Sequence, residues 1–203
     1  MSTDARIDEV LDYWFGPSWD DSSRTGERTG LWWGGRERDQ EIRERFGPRV
    51  AAAERGELDD WAGTPEGALA LVIIVDQFRR NVFRGEPEAF ADDARALTIC
   101  LRAQDEGWDR ELPAVPRVFL YMPMQHAEDL GVQDRAVRVF QALADEQPET
   151  GRKTFQGFAD YAVKHRDLIA RFGRFPHRNR ILGREPTPEE TAYLEDGGAT
   201  FGQ

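Results

Sequence analysis

Two of the three histidines, His126 and His165, occupy positions where the helical period calls for an apolar side chain. His126 and Gln133 continue an apolar stripe that runs backwards from Val137, and His165 lies within a second such stripe. Imidazole titrates nearest to neutral pH, so inward-facing histidines are candidate acid–base groups. One such histidine is more often a satisfied core residue, but several inward polar groups on separate helices can also build a pocket.

A carboxylate, Asp76, continues the most apolar stripe of the chain. The positions Leu69, Val72 and Ile73 lead by helical steps to Asp76 and then to Arg80. Asp76 and Arg80 are four residues apart, so they can pair on one helix face. A buried carboxylate without a partner is costly, and we therefore expect Asp76 to be paired or neutral.

Arginines are concentrated in two segments that contain no acidic residue. Segment 77–85 has three arginines, and segment 168–184 has five together with His177. The planar guanidinium group suits carboxylate and phosphate ligands, so the two segments predict an anion-binding surface. The alternative is that these arginines pair with Asp76, Glu128 or helix ends, and the two interpretations are compatible.

The leading hypothesis is an interior polar pocket that binds a small anionic ligand, with acid–base chemistry as an option. Arg80, Arg174 and Arg178 are expected to hold the anion, while Asp76, Glu128 and Gln133 orient the histidines. The candidate catalytic residues are His126, His165 and Glu128. The candidate ligand-binding residues are Asp76, Gln77, Arg80, Asn81, Gln133, Arg174, His177, Arg178 and Asn179.

Two other interpretations remain open. A helical protein-interaction module could use an arginine-lined face to bind a partner peptide or its carboxylate. Alternatively, the polar motifs only stabilise the fold. No sequence motif identifies a cofactor.

Known catalytic and metal-binding motifs match only in part. His165-Arg166-Asp167-Leu168 resembles a kinase catalytic loop, but Phe172 stands at the asparagine position and no phosphate-binding glycine loop is present. His126-Ala127-Glu128 lacks the paired cysteines of a zinc deaminase. A metal site from His126, Asp129 and His165 is geometrically possible, but it lacks the Glu-x-x-His pairs of di-iron bundles, so we predict no metal site.

The apolar residues recur with helical period throughout, which predicts an all-α fold of about eight antiparallel helices in a single domain over 1–203. Thr64-Pro65-Glu66 and Thr187-Pro188-Glu189-Glu190 are helix starts, and Gly173 is a helix end. A helix disturbed at Gly47-Pro48 and a shorter apolar piece ending at Pro123 are also expected.

The polar stretch 16–35 predicts a long loop that contains Trp32 and Trp33. Loops of this length are often lids or binding loops, so it is a candidate cover for the pocket. The alternative is that the two tryptophans fill the edge of the core.

The chain has 203 residues, 27 basic against 38 acidic side chains and a formal net charge of −11. This charge argues against bulk nucleic-acid binding. No apolar run approaches the ~20 residues of a membrane span, the start is not a secretory signal, and the one cysteine excludes an internal disulfide. A cytoplasmic protein is the expected default.

Four motifs occur in order along the chain: Asp12-Tyr13-Trp14-Phe15-Gly16, Asp76-Gln77-Phe78-x-Arg80-Asn81-x-Phe83-Arg84-Gly85, Pro123-x-x-His126-x-Glu128-Asp129 and Arg171-Phe172-Gly173-Arg174-Phe175-Pro176-His177-Arg178-Asn179. Together they resemble the bacterial domain-of-unknown-function family 924, from Val10 to Phe201. The resemblance implies a tetratricopeptide-repeat-like α-α superhelix but no particular reaction. Ala127 stands where many members have serine, which favours His126 and Glu128 as binding or acid–base groups.

Overall fold

A computed structural model of the protein describes residues 4–17, 29–32 and 36–201, and these residues contain helices but no β-strand. The predicted all-α class is therefore confirmed. If the continuous run 65–82 is counted once and the four-residue α2 is left aside, these residues form eight α-helices. The superhelical arrangement stays a prediction. The α-helices are α1 (Ala5–Phe15), α2 (Thr29–Trp32), α3 (Glu37–Glu54), α4 (Pro65–Val72), α5 (Arg79–Val82), α6 (Asp93–Asp105), α7 (Ala114–His126), α8 (Leu130–Asp145), α9 (Glu149–Phe172) and α10 (Pro188–Glu195).

The helices fall into two compact units. Unit 1 comprises Met1–Val82 and Ala89–Pro123, and unit 2 comprises Phe83–Glu88 and Met124–Gln203. The last turn of α7 therefore belongs to unit 2. The single helical domain over 1–203 stays a prediction.

The central helix of unit 1 begins as expected at Thr64, whose side chain accepts a hydrogen bond from the Gly67 N–H at 3.1 Å. Its apolar residues are buried throughout, so the segment is a core helix rather than a strand. Between α4 and α5 the chain adopts π-helical geometry over Ile73–Phe78, which local residue patterns do not reveal. This π-helical segment positions Asp76 and Gln77.

Part of the long loop predicted at 16–35 is the helical turn α2. Trp32 is buried in unit 1, where its indole N–H donates to the Trp14 carbonyl oxygen at 2.9 Å. Its ring packs against Phe15 and Phe119 with centroid separations of 6.1 and 4.8 Å. Trp32 thus fills the edge of the core, which was one of the two alternatives. Trp33 lies outside the described residues, and the lid stays a prediction.

Two helices continue past prolines that were expected to disturb or end them. α3 runs through Pro48 and α7 runs through Pro123 to His126. A proline removes one backbone hydrogen bond, but the neighbouring side chains Phe46 and Met124 are fully buried. Burial of these side chains offsets the local cost, and the extension of α7 brings His126 onto a helix end.

Unit 2 is built on the helix pair α8 and α9, which pack along each other after a connection of three residues. Asp129 caps α8 by accepting a hydrogen bond from the Val132 N–H at 2.8 Å. α9 ends at Gly173, where φ is +71° and glycine is favoured because it has no Cβ. The predicted capping box at Thr187 is confirmed at the start of α10.

No helix in the described ranges is both long enough and apolar enough to cross a membrane.

Candidate ligand-binding site

The predicted site residues divide between the two units. Asp76, Gln77, Arg80 and Asn81 belong to unit 1. The remaining members, which are His126, Glu128, Gln133, His165, Arg174, His177, Arg178 and Asn179, belong to unit 2.

In unit 1, Asp76 is completely buried and lies at the centre of an ion-pair cluster. Its carboxylate accepts hydrogen bonds from Gln77 Nε2 at 2.6 Å and from Arg80 Nη2 at 3.2 Å. The same Arg80 nitrogen donates to Asp93 Oδ1 at 2.6 Å, and the guanidinium lies over the Phe90 ring. The charge of Arg80 is therefore offset by two carboxylates. Pairing with Asp76 is the contact expected from their spacing.

Asn81 follows on the same helix and also has an internal partner. Its side-chain Nδ2 donates to Asp39 Oδ1 on α3 at 2.8 Å. In the same region, Arg43 Nη2 donates to the Val82 carbonyl oxygen at 2.6 Å. These two hydrogen bonds tie α5 to α3.

In unit 2, Arg174 makes a two-pronged ion pair with the buried Glu190. Its Nε and Nη2 donate to the two carboxylate oxygens at 2.7 and 2.8 Å. Glu190 Oε2 also accepts the Thr187 N–H at 2.7 Å as part of the capping box. The hydrogen bonds from Arg174, more than any other cause, lower the pKa of Glu190 to about 2. This pair attaches α10 to the end of α9.

Glu190→Gln is therefore expected to destabilise the protein by about 2 kcal/mol at pH 7, because Arg174 loses a charged, buried partner. The ordinary pKa of glutamate is 4.5 and that of Glu190 is about 2, so its contribution is present above pH 4.5 and is lost as pH falls towards 2. The measurement is urea unfolding at several pH values. Glu189→Gln, which changes an exposed partner of Arg171, is the matched control. Equal losses in the two variants would contradict the prediction.

Glu128 makes hydrogen bonds to the arginine-rich segment 168–184. It accepts hydrogen bonds from the Phe175 N–H at 2.8 Å and from Arg184 Nη1 and Nη2 at 2.6 and 3.0 Å. Burial acts to raise the pKa of Glu128, but the hydrogen bonds from Arg184 and Phe175 outweigh it and hold the pKa below its usual value. Arg184 also donates to Asn179 Oδ1 at 3.0 Å. Glu128 therefore holds residues 175–184 in place.

Gln133 is fully buried and fixes the turn that carries His126. Its Nε2 donates to the carbonyl oxygens of Gln125 and Ala127 at 2.7 and 2.8 Å. Carbonyls at the end of a helix have no partner within the helix, so Gln133 supplies donors that the end of α7 needs. It positions the backbone on both sides of His126.

The predicted histidines His126 and His165 lie near each other in unit 2, with ring centroids 6.4 Å apart. His165 is 3% exposed, and its Nδ1 lies 2.9 Å from the Tyr161 carbonyl oxygen, which can only accept. Nδ1 is therefore the protonated nitrogen, and Nε2 carries the lone pair. Burial lowers the pKa of His165 to about 3, against the opposing effect of the hydrogen bond to Tyr161 and with smaller contributions from the nearby His126, Arg178 and His177. His165 is neutral near pH 7 and does not titrate there, so its Nε2 can accept a hydrogen bond.

Four aromatic rings surround the ring of Phe201, the last described residue. His165 stacks on it with a centroid separation of 3.7 Å and an interplanar angle of 18°. Tyr161, Phe175 and His177 meet it edge-on at 5.3, 6.1 and 5.6 Å. We call this enclosure the ring slot. Arg178 borders it, because its buried guanidinium lies over the Phe175 ring at 4.5 Å.

A cleft of about 550 Å³ lies beside the ring slot in unit 2. His177, Arg180 and Arg184 line it, and Glu195 is the acidic residue of its wall. Thr200, which precedes Phe201, is also part of the lining. Arg180 is exposed and forms no ion pair within the ranges that the structure describes.

Sequence reasoning missed Arg180, Arg184 and Phe201 as members of this region. The two arginines lie in the segment 168–184 that was singled out, and the spacing does not distinguish them from Arg174. Phe201 gave no signal, because its contacts depend on how the segment after α10 meets α9. Across the described part of the chain, no group of three or more His, Cys, Asp or Glu side chains could hold a metal ion.

Comparison with known proteins identifies the family. The model of a family described as "Bacterial protein of unknown function (DUF924)" matches residues 10–198. A solved structure of a protein of unknown function from Agrobacterium tumefaciens, ATU0120, is similar to this chain with 36% identity and a TM-score of 0.81. The similarity covers 97% of this chain and 100% of that one. No curated protein matches. On the extent of the family match, the chain belongs to the DUF924 family of bacterial proteins of unknown function.

Proposed function

We propose that the protein binds a small anionic ligand in the cleft of unit 2. The observation that carries this proposal is an exposed arginine of the lining, Arg180, which forms no ion pair in the described ranges. The lining contains one acidic residue, Glu195. The volume of about 550 Å³ lies within the range of small-molecule sites, roughly 300–1,000 Å³. A guanidinium group that no carboxylate offsets favours carboxylate or phosphate ligands.

The contacts divide the arginines by role. Arg80 and Arg174 have carboxylate partners, so we assign them to the architecture. Arg184 is oriented by Glu128 and forms a fixed wall of the cleft. Arg180 is exposed without an ion pair in the described ranges, and we assign it the first contact with the anion. Arg178, buried beside the ring slot, extends the positive region inwards.

His126 and His165 are the residues considered for acid–base chemistry at this site. We assign His126 as the acid–base candidate, because it is half-buried and close to His165. The neutral His165 offers Nε2 as an acceptor, and Gln133 holds the backbone that carries His126. Glu128 positions Arg184 rather than acting as a free acid–base group.

Arg180→Ala is expected to weaken binding of inorganic phosphate and acetate by about tenfold, because one charge-assisted contact of about 1.4 kcal/mol is lost. The measurement is an NMR titration that follows the backbone amide signals of residues 177–184. Arg138→Ala is the matched control, since Arg138 is an exposed arginine of unit 2 on α8. Equal affinities in the two variants, or shifts away from 177–184, would refute the proposed cleft.

A second titration, with peptides, distinguishes the small-ligand proposal from a protein-interaction module. A tripeptide with a free terminal carboxylate and its amidated form are titrated in the same way. Binding of the free form alone, without any binding of phosphate or acetate, would replace the small-ligand proposal with recognition of a partner's carboxylate.

A further inference from the structure

In the ring slot, the aromatic ring of Phe201 lies among four other aromatic rings. One face of the Phe201 ring is stacked on His165, and three further rings meet it at angles of 73° to 82°. Stacked and edge-on contacts are the preferred arrangements of aromatic pairs. The slot therefore fits a flat ring, and its residues come from α9 and from the segment after Gly173.

Phe201 itself is held in the slot weakly by its backbone. Its φ is +52°, the one positive value at a non-glycine residue in the described ranges. A bulky side chain rarely adopts this conformation, and the strain is released when the segment moves. Thr200 and Phe201 form no backbone hydrogen bond within these ranges, and the nearest one joins the Ala199 N–H to Tyr193 Oη at 2.8 Å.

The slot adjoins the cleft of unit 2. Thr200 lines the cleft and the next residue occupies the slot, while His177 borders both. Residues 200–201 therefore lie where the slot meets the cleft. Arg178 over Phe175 and Arg180 in the cleft place positive charge close to the opening.

We propose that Phe201 occupies the place of a ligand ring, and that the anionic ligand of this site is an aromatic carboxylate. The ring of the ligand takes the slot against His165, and its carboxylate lies towards Arg178 and Arg180. Phe201 leaves the slot when the ligand binds, so it competes with the ligand. This inference rests on the proposed function and specifies the chemical class of the ligand.

The test compares benzoate with cyclohexanecarboxylate, which has the same charge and ring size but no flat ring. Phe201→Ala is expected to bind benzoate about tenfold more tightly than the wild type. In the wild type, benzoate can bind only those molecules in which Phe201 has left the slot, and this lowers the apparent affinity. Cyclohexanecarboxylate is expected to bind at least about fivefold more weakly than benzoate, since it cannot stack on His165. Calorimetric titration measures all affinities.

Phe158→Ala is the matched control, because Phe158 is a half-buried phenylalanine of α9 that packs on Phe155. It should leave benzoate affinity unchanged. Phe201→Leu keeps an apolar side chain without an aromatic face, so it should also bind benzoate more tightly than the wild type does. Thermal melting of each variant verifies that the fold is retained.

Failure of this inference differs from failure of the proposed function. Equal affinities for benzoate and cyclohexanecarboxylate, or no gain in either Phe201 variant, would overturn the aromatic ligand even if acetate and phosphate bind through Arg180. A drop in melting temperature in both variants without any gain in benzoate affinity would mark Phe201 as a core residue and overturn it as well. Absence of binding for every anion would instead refute the proposed function.

Discussion

Asp76→Asn is expected to destabilise the protein by about 3 kcal/mol, a drop in Tm on the order of 10 °C for a chain of this size. Asp76 is completely buried and accepts hydrogen bonds from Gln77 and Arg80. Asparagine removes the charge opposite Arg80. Its amide N–H group is also a donor that faces the donor groups of Gln77 and Arg80. Urea unfolding and thermal melting at pH 7 measure the change.

Asp93→Asn is the matched control for this prediction. Asp93 pairs with the same Arg80, but its side chain is 17% exposed, so water can replace part of the lost contact. We expect a loss of about 1 kcal/mol or less. Equal stability of Asp76→Asn and the wild type would contradict a structural role. A folded Asp76→Asn variant that no longer binds phosphate would assign Asp76 to the ligand site instead.

His165 is expected to make the protein sensitive to mild acid. An ordinary histidine has a pKa near 6.5, whereas that of His165 is about 3. Between these values the unfolded chain takes up a proton that the folded protein excludes, so stability falls as pH drops below 6.5. From pH 7 to pH 4 this one group costs about 3 kcal/mol of stability.

His165→Phe keeps a flat ring against Phe201 and removes the titrating group. Its unfolding free energy should therefore decline less between pH 7 and pH 4 than that of the wild type, with a difference of about 3 kcal/mol. Above pH 6.5 the two curves should run parallel. Histidine NMR signals provide a direct check, since the ring of His165 should not titrate between pH 8 and pH 5. Parallel stability curves down to pH 4 would contradict the prediction.

The helices are predictable because their signals are local. Thr64 and Thr187 cap the helices that follow them, and Gly173 ends α9, as expected from residues within one turn of each other. The inward positions of Gln133 and His165 follow from periodicity in the same way. The passage of α7 through Pro123 was not predictable, because burial of side chains outweighs the local cost of proline.

Most partners of the charged side chains were not predictable from the sequence. The pair Asp76 and Arg80 follows from a spacing of four residues. Arg174 and Glu190 are 16 residues apart, and Arg184 and Glu128 are 56 apart. On composition alone, many acidic residues were equally good candidates for the ion-pair partner of each arginine. Only the packing of α10 and of residues 175–184 selects the actual pairs.

Residue order alone is enough to specify the helical class, the helix ends and the inward polar positions of this protein, because each depends on neighbours within a turn or two. Tertiary structure decides which arginines are neutralised, which of them face the cleft, and that Phe201 stacks on His165. These outcomes depend on contacts between residues far apart in the chain. Such contacts form only where helix packing brings two surfaces together, and no local pattern encodes them.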